Sequence, residues 1–149
     1  MTGTGGSLLA AISKLVDVYL QPLAEFSSCY IRNWEHLMEL TEDLGKIPAG
    51  AKLFTADTTP MYTNIDIDHG LAVLRLWLDN LKEEGKIALD YPIKLIMELT
   101  NIVMKNNHFQ FGDTDWLQLV GTAMGTPMAC IYATIYFAWK EMTDIIPRF

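Results

Sequence analysis

From Leu8 onward, apolar residues recur near helical spacing at Ile12, Leu15, Val16, Val18 and Leu20, which predicts a helix capped by Ser7. Pro22 closes it or bends its last turn. A second helix is predicted over Ile31 to Leu44, with Trp34, Leu37, Met38 and Leu40 inward and Gly45 as its stop. Lys52 to Asp57 reads as a short buried strand ending at an acid. Asp66 or Asp68 then opens a helix through Glu84, with Leu71, Leu74, Leu78 and Leu81 on one face and Gly85 ending it. Pro92 suits the first turn of a helix from Ile93 to Lys105. His108 to Phe111 and Trp116 to Leu119, around the polar turn Gly112 to Asp115, predict a β-hairpin. The segment from Gly121 to Pro127 reads as a loop, and Pro127 starts a last helix to about Asp144. This order is α+β, helix-rich, with too few strands for a doubly wound sheet.

Composition narrows the class. With 149 residues, half of them apolar and 19% charged, the chain suits one compact domain or a piece of a larger one and excludes wholesale disorder. Eighteen acidic residues against eleven basic ones give a net charge of −7, which opposes nucleic-acid binding by bulk charge. Cys29 and Cys130 lack metal-ligand spacing and point to a reducing, intracellular setting. The most apolar stretch, Met128 to Trp139, is too short and too mixed to span a bilayer, so no membrane partner is expected. Met1 to Ser7 lacks the features of a signal peptide.

Two segments could carry chemistry. Asp57 ends the expected strand, and a carboxylate there is a hard ligand suited to magnesium. Read alone, it is more simply an acid bonding the backbone of the Thr58-Thr59-Pro60 turn. Gly121 and Gly125, four apart in Gly121-Thr122-Ala123-Met124-Gly125-Thr126-Pro127, allow close backbone approach to another chain or a ligand. The bland reading of that segment is a hairpin-to-helix connection.

Taken together, in this order and separation, the two segments resemble reverse transcriptases. Phe54 to Ile65 is similar to their motif A, an acid followed five residues later by an aromatic, and Gly121 to Pro127 resembles their motif B loop. The wording Met61-Tyr62-Thr63-Asn64-Ile65 and the unbroken Gly121 to Pro127 most resemble Penelope-like retroelements. Ile12 to Asp17, Leu20-Gln21-Pro22 and Asn106 to Phe111 extend the resemblance over nearly the whole chain.

The resemblance implies a partial polymerase right hand: fingers-side helices over about 1–50, then palm and fingers with both motifs over about 51–149. It implies RNA-templated DNA synthesis with a primer and deoxynucleoside triphosphates, magnesium as cofactor, and a nuclear location. Asp57 would be the metal ligand of a two-metal nucleotidyl transfer. Thr58, Thr59, Pro60 and Met61 would lend backbone groups to the triphosphate or the metal. Tyr62 would lie under the sugar and exclude a 2′-hydroxyl. Gly125 and Thr126 would line the floor beneath the nucleotide, and Arg32 would touch nucleic acid.

The sequence also departs from the family pattern. Val120 stands where many relatives place glutamine, and Thr59-Pro60-Met61 replaces a smaller run ending in leucine. No Tyr-x-Asp-Asp, the source of the other metal carboxylates, occurs in these residues. Thumb and endonuclease segments are likewise missing, so this chain alone is expected to be an inactive fragment. The alternative is a non-catalytic binding or scaffold module retaining the fold.

Overall fold

The structure is a computed structural model and describes residues 8–52, 55, 57–122 and 125–148. Among the described residues five α-helices and one hairpin form: α1 (Leu8–Leu20), α2 (Trp34–Asp43), α3 (Ile67–Glu83), α4 (Ile93–Lys105), β1 (His108–Phe111), β2 (Thr114–Leu117) and α5 (Ala129–Lys140). The architecture is α+β and helix-rich, with one two-stranded antiparallel sheet. No helix among the described residues is long and apolar enough to cross a membrane.

α1 packs on α4, α4 on α3, and α3 on α5. Their shared core holds Val16, Leu20, Leu74, Leu78, Ile96, Val103, Met128 and Tyr132. At α3, the Asp66 side chain caps the first turn by accepting from the His69 N–H at 2.8 Å. The other end closes on a left-handed Gly85: Lys86 N–H donates to the Leu81 carbonyl and Gly85 N–H to that of Lys82, satisfying two orphan carbonyls. Gly70 lets α5 approach closely, since a Cβ there would overlap the Tyr132 hydroxyl.

Several sequence expectations need correction. α1 begins at Leu8, with the expected Ser7 cap outside the described residues, and Leu8, Leu15 and Val18 face solvent. Its fully buried stripe is Ser13, Val16 and Leu20, on the side packed against α4 and α5, with Ile12 and Tyr19 partly buried beside it. As expected around Pro22, the α-helix closes at Leu20, and the chain tightens into a 3₁₀ turn over Gln21–Phe26.

α2 forms, capped by Asn33 accepting from the His36 N–H, but none of its residues is buried. Trp34 is 70% exposed, and Leu37, Met38 and Leu40 also lie open. The apolar stripe expected inward is covered by no element among the described residues.

The strand over Lys52 to Asp57 is not seen at its described positions: Lys52, Thr55 and Asp57 are exposed and in no strand. Leu53, Phe54 and Ala56 lie outside the described residues. A strand needs a ladder partner, and the hairpin strands pair with each other.

The hairpin is tighter than expected. Phe111 pairs with Thr114 and Phe109 with Trp116, leaving Gly112-Asp113 as the turn. Gly112, at φ +63°, takes the first central position that a two-residue loop of this hand requires. The last helix starts at Ala129, two residues after Pro127, and after Lys140 it widens into a π turn over Glu141–Ile145.

Candidate functional site

Two of the candidate segments meet at a seam between the turn after Pro60 and the loop after β2. Pro60 leads into a 3₁₀ turn, Met61–Thr63, and its carbonyl accepts from Thr63 Oγ1 and Asn64 Nδ2, each at 3.2 Å. Ile65, 1% exposed, anchors the far end of the turn in the core. Across the seam, Gly121 N–H donates to the Ile65 carbonyl at 2.9 Å and Thr122 N–H to the Tyr62 carbonyl at 2.6 Å. Two segments far apart in the chain are thus joined through backbone bonds.

Gly121 is required twice over. Its φ is +83°, and a Cβ would strike the Tyr62 carbonyl oxygen and lie 2.7 Å from Thr63 Cα. Gly125, at φ +100°, has open space around it and is exposed. Ala123 and Met124, between them, lie outside the described residues. Thr126 is half-buried, and its carbonyl accepts from the Ala129 N–H at 3.1 Å, turning the loop into α5.

Tyr62 is half-buried against the core. Burial pushes its hydroxyl above the usual tyrosine range, and the adjoining Cys130 on the first turn of α5 adds to the shift. Thr122 is buried, and its Oγ1 has no partner among the described residues.

Asp57, Thr58, Thr59 and Pro60 are exposed on the approach to the seam. Arg32 is exposed ahead of α2, where its backbone N–H donates to His36 Nδ1 at 3.3 Å. The structure therefore joins Tyr62 to the glycine loop, and leaves Asp57 and Arg32 in open surface.

A two-metal centre needs several carboxylates in register. Among the described residues no group of three or more His, Cys, Asp or Glu side chains could hold an ion. Asp66 is occupied in capping α3, and Asp68 pairs with Lys105 at 2.8 Å. The described residues do not fit such a centre by themselves; Asp57 offers one ligand.

Sequence reasoning missed several residues that hold the seam. Ser13, fully buried on α1, accepts from the Met128 N–H at 3.0 Å and so fixes the entry to α5. The signal was a hydroxyl in line with Val16 and Leu20 on an apolar stripe. Asn107 and Gln118 bracket the hairpin, and Asn107 Nδ2 donates to Gln118 Oε1 at 2.7 Å. No family model, curated protein or solved structure matches the chain.

Proposed function

We propose that this chain carries the motif A and motif B elements of a reverse transcriptase, of the kind found in Penelope-like retroelements. The observation that supports this reading is the seam: the Tyr62–Ile65 turn and the Gly121–Thr122 backbone are hydrogen-bonded to each other. A nucleotide-binding floor needs that kind of rigid backbone junction beside an aromatic ring. In this reading Tyr62 limits the space beneath the sugar, while Gly125 and Thr126 face the nucleotide. Asp57 and the Thr58–Met61 backbone meet the triphosphate end. Magnesium, RNA template and DNA primer belong to the assembled active site, to which this chain contributes a single carboxylate.

The test is primer extension. The chain alone gives none, because one carboxylate cannot hold two ions in register. In a chimera supplied with a competent Tyr-x-Asp-Asp segment, Tyr62→Ala raises the ribonucleotide-to-deoxynucleotide ratio of kcat/KM, whereas Asp57→Asn lowers both rates together. Equal loss on both sugars in Tyr62→Ala would make Tyr62 a packing residue and remove the sugar-gate role. A second reading, a non-catalytic binding or scaffold module, is favoured by the net charge of −7. It predicts a chimera with no extension under any condition.

A further inference from the structure

Both strands of the hairpin are exposed along their full length, so the hairpin sits outside the core. What ties it to the seam is a pair of half-buried carboxamides at its base. Gln118 N–H donates to the Asn107 carbonyl at 2.9 Å, continuing the strand ladder by one rung. Asn107 Nδ2 donates back to Gln118 Oε1 at 2.7 Å. The other end of the Gln118 amide turns to the loop: Nε2 donates to the Val120 carbonyl at 2.8 Å and reaches that of Thr122 at 3.4 Å. One planar group is therefore fixed at its oxygen by Asn107, in the link from α4 to β1, and at its nitrogen by the glycine loop.

We propose that Gln118, held by Asn107, is a positioning residue that latches Gly121 and Thr122 onto the Tyr62–Ile65 turn and makes the hairpin a lever on that loop. Gly121 and Thr122 spend their N–H groups on the turn, so their register depends on what holds the carbonyl side. Gln118 supplies that hold. Distortion of the exposed strands passes down the ladder to the Asn107–Gln118 rung, and from its amide plane to the loop carbonyls. The consequence for nucleotide placement rests on the reverse-transcriptase reading, whereas the latch is a property of the fold alone.

Residue-resolved amide hydrogen exchange on the whole chain tests it. Gln118→Ala speeds exchange at Gly121 and Thr122 about tenfold, the scale of one or two net hydrogen bonds, and leaves Leu78 and Ile96 unchanged. Gln118→Glu keeps the shape and the acceptor but cannot donate, and it loosens the same two amides. The double substitution Phe109→Ala with Trp116→Ala, confined to exposed strands, speeds both amides in the native background and adds nothing in the Gln118→Ala background. Native protection in Gln118→Ala, native behaviour of Gln118→Glu, or additive effects of the hairpin substitutions would each overturn the latch. A uniform rise that includes Leu78 and Ile96 would also overturn it, making Gln118 a general stability residue. Exchange needs no nucleotide or template, so this outcome is independent of primer extension.

Discussion

Gly121 and Gly125 share a left-handed backbone, but only Gly121 is pressed against other chain. Gly125→Ala therefore meets the conformational penalty alone, about 1–2 kcal/mol. Gly121→Ala adds a clash with the Tyr62 carbonyl and Thr63 backbone, and about 3 kcal/mol or more is expected. Urea unfolding of the two variants checks the difference; equal losses would mean the Tyr62–Gly121 seam yields to a methyl group. The glycine spacing was plain in the sequence, and so was Tyr62. Which glycine is crowded was not, because the crowding comes from residues near Thr63, remote in the chain. Ser13 and Gln118 stayed hidden for the same reason: a hydroxyl or carboxamide acquires a role only through its distant partner.

The helices divide by what lies opposite them. α3 and α4 were readable nearly to the residue, because cap, apolar period and stop signal agree at Asp66, Leu74–Leu81 and Gly85. α2 has the same quality of pattern and buries nothing. Periodicity reports which face is apolar, never whether another element covers it. The expected strand at Lys52 to Asp57 failed at its described positions for a related reason, since a strand is defined by its neighbour. Leu78→Ala in α3 should thus cost about 2–5 kcal/mol through its cavity. Trp34→Ala in α2 should stay within about 0.5 kcal/mol, despite removing a larger side chain. Denaturant midpoints decide between this and a covered α2, for which Trp34→Ala would rival Leu78→Ala.

The whole molecule is tied across its length by a few polar side chains set in apolar surroundings. Tyr91, just ahead of α4, donates its hydroxyl to the Tyr19 carbonyl on α1 at 2.6 Å. Burial, and then the Tyr19 hydroxyl, push Tyr91 up to about 12. A raised value means the unfolded chain gives up this proton first, so the contribution is complete below about pH 10 and is lost as pH rises toward about 12. Urea midpoints over that window should fall less steeply in Tyr91→Phe than in the native chain; identical slopes would assign the alkaline loss to other tyrosines. The Ser13–Met128 bond spans 115 positions, the longest reach of these ties. During synthesis the chain emerges from its N-terminus, and domains fold as their segments become available. Ser13 leaves the ribosome 115 residues ahead of Met128 and is without its native partner until Met128 follows, by which time α3, α4 and the hairpin are already outside. α1 therefore carries a polar group whose partner stands at the entry to α5, and the core between these two helices closes only after α5 has been made.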